Sequence, residues 1–364
     1  MSRLKYIELA RAYHPGYTLR EKLEEMQMSV KEFAVRTTKP EKTINAVLNG
    51  TSALTPDMAI AFETVTLIPA HLWMNLQREY DEFVARKKRE ELYCDKVTIK
   101  WAMSFPYEHM VEIGWLKPAA NIKERIANLL SFFRITSVQA WEDYYINQEL
   151  KVAFKLSLGK TNDPYAISAW LRKGDIEADK VITANVFSAA EMRRRIPLIL
   201  SLFKEQPENA IQTLKSICFE SGIKLIFTDC IPNAPIRGCA RWINGVPCIQ
   251  MTNSSKKYDV FWFSFFHELG HILLHGKKDV FMDEHNSYDS LDKEREADRF
   301  ASETLLNRAT EKELLEIKAF DADIIRQFAE QHSTHPAIVS GRLKYLGLIS
   351  EDLYNETNIM ISTR

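Results

Sequence analysis

Apolar residues recur at helical spacing through most of the chain. Leu19, Leu23 and Met26 form one such series, Val30, Phe33 and Ala34 a second, and Ile44, Val47 and Leu48 a third. Ser29 with Glu32 three positions on is a capping-box pattern, and Asn49-Gly50 supplies a helix stop. Thr55-Pro56 opens another helix with Pro at its first position. The charge run RKKREE at 86–91 reads as a solvated helix end or linker, which places a boundary near 95. Between 96 and 210, ANIKERIANLLSFF and AAEMRRRIPLILSLFKE read as amphipathic helices, and no chemical motif stands out.

The rhythm changes from 211. AIQTLKSICFESG reads as a helix stopped by Gly222, and IKLIFTDC as a strand. GCARWI and VPCIQMT flank Asn244-Gly245, a strong hairpin signal. VFWFSFFHELGHILLH, from Val260 to His275, follows as a long apolar helix. A polar loop from Gly276 to about Asp289 and a helix from Lys293 to Leu306 come next. IIRQFAEQHSTHPAIVSGRLKYLG reads as two short helices around His332–Pro336.

A chain of 364 residues has room for two or three domains. Its 46% hydrophobic and 27% charged residues are those of a soluble globular protein. A formal net charge of −1 argues against a non-specific nucleic-acid coater, so any DNA contact needs a local patch. The five cysteines, Cys94, Cys218, Cys230, Cys239 and Cys248, are odd in number and form no CxxC pair, as expected of reduced thiols in a cytoplasmic protein. The start of the chain lacks an apolar h-region, so no signal peptide is expected. The apolar helix is shorter than the roughly 20 residues of a membrane span and carries His and Glu, which makes it a buried core helix.

His267-Glu268-Leu269-Gly270-His271 is an HExxH pattern. Residues four apart share a helix face, so both imidazoles reach one ion while Glu268 lies beside the water it would activate. An unpaired Glu or His in so apolar a helix is costly to bury, and a metal gives these groups a reason to be there. The bland reading is a polar patch on a core helix. A catalytic zinc site needs a third protein ligand, but Lys277 occupies the position where a third His would extend the motif. Glu294 from the following helix is the leading candidate, with Glu296 as its rival. Asp298, four residues after Glu294, suits the role of accepting a hydrogen bond from a ligand imidazole. The bland reading of both is a solvated acidic helix start. His275, one turn further along the same helix, could touch the site or the loop that follows, but reads first as a core or helix-end histidine. His285 and Tyr288 read as solvated loop residues, and Cys230, Cys239 and Cys248 as buried inert thiols.

Residues 29–49 fit a helix-turn-helix, with a recognition helix from about Glu41 to Asn49. Lys39, Glu41, Lys42, Thr43 and Asn45 lie at its base-facing start, and Arg36 and Lys39 suit phosphates. Through residue 90 there are 14 Lys and Arg against 12 Asp and Glu, a weak electrostatic footprint. A helical bundle used for dimerisation or protein contact is the plainer alternative.

The N-terminal stretch resembles the HigA-type branch of the lambda-repressor-like helix-turn-helix domains. The residues that carry this are His14-Pro15-Gly16, Leu19-Arg20-Glu21-Lys22-Leu23, Met28-Ser29, Lys42-Thr43-Ile44, Asn49-Gly50, Thr55-Pro56 and Leu72-Trp73-Met74-Asn75-Leu76-Gln77. It departs at the turn, with Thr38 where the family has Gly and Pro40 where it has a capping Ser. The C-terminal part resembles the ImmA/IrrE metallopeptidases through Phe261-Trp262-Phe263, the HExxH segment, Leu274-His275-Gly276, Glu294-x-x-Ala297-Asp298-x-Phe300-Ala301 and Ser340-Gly341-Arg342-Leu343. That resemblance, over about 185–350, implies a zincin-like fold with zinc on His267, His271 and Glu294, and Glu268 as base. It also implies cleavage of a partner repressor that controls stress-response or mobile-element genes. The expected fold is α+β and mainly helical. It comprises a helix-turn-helix domain over 1–95, a helical connecting region over 96–184 and a metallopeptidase domain with a small sheet over 185–364. The expected function is that of a cytoplasmic regulatory zinc peptidase that binds double-stranded DNA, acts on a repressor or toxin-related partner and forms a homodimer. The alternatives are an antitoxin-like regulator whose metal domain senses or docks, and a module that only recruits a partner.

Overall fold

The computed structural model describes residues 12–149, 163–183, 185–206, 208–234, 236–253, 256–279 and 287–361. The chain divides into two compact units, Met1–Ile99 and Lys100–Arg364.

The first unit is helical: α1 (Pro15–Glu25), α2 (Val30–Arg36), α3 (Glu41–Leu48), α4 (Pro56–Thr66) and α5 (Ala70–Leu92). His14 caps α1, its Nδ1 accepting the Gly16 N–H at 3.0 Å. A Cβ on Gly16 would lie 2.0 Å from the Val47 carbonyl, so only glycine lets α1 lie against α3 there. Ser29 caps α2 through the Glu32 N–H, and Thr55 caps α4 through the Met58 N–H. Between α2 and α3, Thr38 is left-handed with φ 52, and Pro40 begins α3 with no side-chain cap. That is the backbone a glycine and a serine would favour. Leu19, Phe33, Ile44, Val47, Phe62 and Trp73 close the core with no exposed surface.

The helix α6 (Lys96–Met103) crosses the division between the units. After it, the second unit continues with α7 (Tyr107–Glu112), α8 (Ile122–Phe133), α9 (Val138–Trp141) running into a π-helical stretch, and α10 (Pro164–Lys180). Next are α11 (Ala189–Glu205) and α12 (Ala210–Glu220). A three-stranded sheet follows, with strands β1 (Lys224–Asp229), β2 (Gly238–Ile243) and β3 (Val246–Asn253) in the order β1-β3-β2. β1 is parallel and β2 antiparallel to the central β3. Asn244 and Gly245, with φ 52 and 83, make the tight hairpin between β2 and β3. The short strand β4 (Lys256–Lys257) leads directly into α13 (Tyr258–Asp279), and α14 (Ser287–Leu305), α15 (Arg308–Leu315), α16 (Ala322–Gln331), α17 (Pro336–Tyr345), α18 (Glu351–Thr357) and β5 (Met360–Ile361) complete the unit.

The strand period of two assigns each face of the sheet its own cover. Leu225, Ala240, Ile249 and Met251 join the core that holds Phe261, Trp262, Phe265, Phe266 and Leu269 of α13. On the other face Ile226 and Cys248 pack with Ala178 of α10. There Gln250 donates to the Trp170 carbonyl at 2.8 Å, and Arg241 pairs with Asp175 at 3.0 Å. A clasp holds the first turn of α13: Asp259 accepts from Tyr354 at 3.1 Å and from Asn358 at 2.8 Å, while β4 pairs with β5.

The polar loop expected over 276–289 is shorter than that. α13 runs on to Asp279 and α14 starts at Ser287, so both helices extend into that stretch. His285 lies outside the described residues. Among the described residues, no helix is long and apolar enough to cross a membrane.

Candidate metal centre

The middle of α13 is apolar on nearly all sides, as a largely buried helix segment must be, and three histidines and a glutamate stand out against that background. His267, Glu268, His271 and His275 are each at most 8% exposed. α14 crosses it closely because Gly270 has no side chain. A Cβ at that position would meet Phe300 at 3.1 Å and the Ala297 Cα at 3.3 Å. This approach brings the carboxylates of α14 against the imidazoles of α13.

One Nε2 from each of His267 and His271 and the Glu294 carboxylate form a cluster whose atoms all lie within 4.8 Å of one another. The two Nε2 atoms are 3.0 Å apart, and the Glu294 oxygens are 3.3 Å from His267 and 3.4 Å from His271. A tetrahedral ion with ligands at about 2.0–2.1 Å holds its donors about 3.3–3.4 Å apart, so these spacings suit it. Glu294 Oε1 is buried with no hydrogen-bond partner, a cost that a cation would remove. Glu294 therefore stands between the imidazoles, while its rival Glu296 reaches His275 instead, at 3.1 Å. Asp298 Oδ1 is 2.9 Å from His267 Nδ1, the nitrogen turned away from the cluster.

The electrostatics agree with a cation site. Burial works against a charged His267, but its contacts with Asp298 and Glu294 outweigh this and hold its pKa up, at about 10. Burial alone would raise the Glu294 carboxyl, yet the adjoining imidazoles hold it below the ordinary carboxylate range. Burial pushes the Glu268 carboxyl up, against the pull of His267 and His271. The Ala240 backbone of β2 adds a smaller pull in the same direction as the imidazoles.

One feature escaped the sequence reading and another was weighed there only as the lesser alternative. Gly238 on β2 faces Glu268, where a Cβ would lie 2.9 Å from Glu268 Cγ and 3.1 Å from Oε1. His275, read as a core histidine, bonds His271, Nδ1 to Nδ1 at 3.1 Å. Its i+4 spacing from His271 was the available signal. Of the thiols, Cys248 is buried and pushed up to about 12, but Cys230 is exposed and Cys239 half-buried. Tyr288 lies at the start of α14 rather than in a loop.

In the first unit, Glu41, Lys42 and Asn45 are exposed on α3 and Thr43 is half-buried. Arg36 pairs with Glu32 at 2.6 Å, and Lys39 pairs with Asp57.

A family model described as Peptidase_M78, IrrE N-terminal-like domain, matches residues 242–334. An uncharacterized HTH-type transcriptional regulator of Escherichia coli K12, YddM, is 33% identical over 81 residues. The match covers 22% of this chain and 86% of the relative. Among solved structures, a HigA-family addiction module antidote protein from Coxiella burnetii is 34% identical. It covers 21% of this chain and 86% of its own, with a TM-score of 0.21. The Pseudomonas aeruginosa antitoxin HigA, solved with the higBA promoter, is 31% identical, covers 22% and 90%, and has a TM-score of 0.22.

Proposed function

We propose, for a chain that belongs to the helix-turn-helix transcriptional regulators and carries an IrrE N-terminal-like domain, that it is a regulatory zinc peptidase acting on a specific protein partner. The observation that carries this reading is the Glu294 carboxylate beside His267 and His271, with Glu268 on the same helix. Two imidazoles and one carboxylate suit zinc and leave a fourth position for solvent or substrate. Bound there, zinc supplies a Lewis acid that makes water nucleophilic near neutral pH.

The rest falls to side chains. His267, His271 and Glu294 hold the ion, and Asp298 fixes the orientation of His267. Glu268 takes a proton from the attacking water and passes it to the leaving amine. Its raised pKa brings it closer to the working pH of such a base. The substrate is a repressor or toxin-related protein, and the reading includes a cytoplasmic homodimer whose two recognition helices address paired half-sites. Lys39 before α3 and Glu41, Lys42, Thr43 and Asn45 on it are assigned to bases, with Arg36 of α2 and again Lys39 assigned to phosphates. The ion pairs of Arg36 and Lys39 are surface pairs worth at most about 1 kcal/mol, so phosphates can displace them.

Metal analysis and cleavage together test the reading. Purified full-length protein is expected to hold about one zinc per chain, and His267→Ala to lose it. Glu268→Gln is expected to keep the metal and to lose cleavage of a co-expressed protein encoded beside it. Sub-stoichiometric metal that His267→Ala leaves unchanged would end the peptidase assignment. For DNA, Lys42→Ala and Asn45→Ala are expected to weaken a gel shift of the upstream region, in a salt-dependent manner.

A further inference from the structure

Two ligand imidazoles need two orienting partners, and the structure supplies them unequally. His267 turns its Nδ1 directly to Asp298 at 2.9 Å. His271 turns its Nδ1 to another imidazole, His275 Nδ1, at 3.1 Å. The far nitrogen of that ring, His275 Nε2, lies 3.1 Å from Glu296 Oε2.

Proton placement along this row is fixed by the end that faces the cluster. If His271 presents Nε2 as a ligand, its proton sits on Nδ1. That N–H then donates to His275 Nδ1, which must accept. His275 accordingly carries its own proton on Nε2 and donates it to the Glu296 carboxylate. Each bond has one donor and one acceptor, and each ring uses both nitrogens.

We propose that His275 and Glu296 are positioning residues for the metal site, selecting the tautomer and ring orientation of His271 through this two-step row. The inference rests on the zinc reading above. The burial of His275 and the exposure of Glu296 are consistent with it. His275 is enclosed, with a side chain 7% exposed, so its nitrogens are held to these two partners, while Glu296 keeps 58% exposure and the solvation of its charge. α14 thereby contributes three acidic residues with three separate tasks: Glu294 at the cluster, Asp298 behind His267 and Glu296 behind His275.

The test measures zinc affinity by competition with a chromophoric chelator, together with the visible spectrum of the cobalt-loaded protein. Glu296 is more than half exposed, so Glu296→Ala is expected to fold. It is expected to weaken zinc binding about 10- to 100-fold, as loss of an outer partner does, while keeping the cobalt bands of the wild type. Glu296→Gln, whose amide oxygen accepts the same bond, is expected to recover most of that loss. His275→Gln can accept from His271 and donate to Glu296, and is expected to bind more tightly than His275→Phe. Equal affinity in wild type, Glu296→Ala and His275→Phe overturns the proposal while leaving the zinc reading intact. Loss of the cobalt bands in Glu296→Ala overturns it too, by making Glu296 a ligand. A wild-type protein that binds no zinc overturns both.

Discussion

At position 238 the absence of a side chain decides where a carboxylate can sit. A Cβ there would press on Glu268 Cγ and on Met251 Sδ, each at 2.9 Å. Gly238→Ala is expected to leave metal content near wild type and to lower hydrolysis by up to about 100-fold, the scale on which small misplacements act. Steady-state cleavage with parallel metal analysis checks it. Thr38 shows the opposite case, a side chain where none is wanted. Left-handed backbone costs an L-residue about 1–2 kcal/mol, partly offset by the flexibility a glycine brings to the unfolded chain. Thr38→Gly is expected to raise stability by about 0.5–1 kcal/mol in urea titration, and a loss would show that some contact compensates the strain. His335 adds a pH dependence. Its Nδ1 accepts the Ala337 N–H at 3.0 Å, and burial pushes its pKa down to about 4 from 6.5. Between those values the unfolded chain binds a proton that the folded one refuses. Stability is thus intact above pH 6.5 and falls toward pH 4, by up to about 3 kcal/mol. His335→Asn, which caps without titrating, is expected to flatten that slope in unfolding curves.

At the scale of elements, the centre depends on how closely α13 and α14 approach. Gly270→Val would place branched carbon against Phe300 and Ala297, and overpacking of this kind costs about 1–3 kcal/mol. Zinc affinity is expected to fall at least about tenfold as the carboxylates withdraw, with the helix content by circular dichroism unchanged. The spacing of His267 and His271 was legible in the chain because both imidazoles lie on one helix, where about four residues make a turn. The preference for Glu294 over Glu296 was legible only in part: Asp298 four residues on shares its face, but which face meets the imidazoles depends on the rotation of α14 about its own axis. Gly238 was hidden for a related reason: it is a strand residue set against a helix 30 positions later, and no local pattern encodes that meeting. The capping and hairpin signals at Ser29, Thr55 and Asn244-Gly245 were readable because their hydrogen bonds and backbone angles are local.

At the scale of the whole molecule, each unit buries its own core, one around Phe33, Phe62 and Trp73 and the other around α13 and the sheet. Calorimetry is expected to resolve two transitions, with a chelator lowering only the one that belongs to Lys100–Arg364. The first unit was readable in outline because its contacts are short in sequence. The second was less so, since β1 reaches β3 past an intervening strand. The helix bearing both imidazoles is also held from a distance. Asp259 at its start receives Tyr354 and Asn358, and the Tyr258 N–H donates to the Ile359 carbonyl at 2.9 Å. Residues 351–361 therefore belong to the support of the proposed metal centre: a version ending at Ser350 would release the root of that helix while leaving every proposed ligand in place.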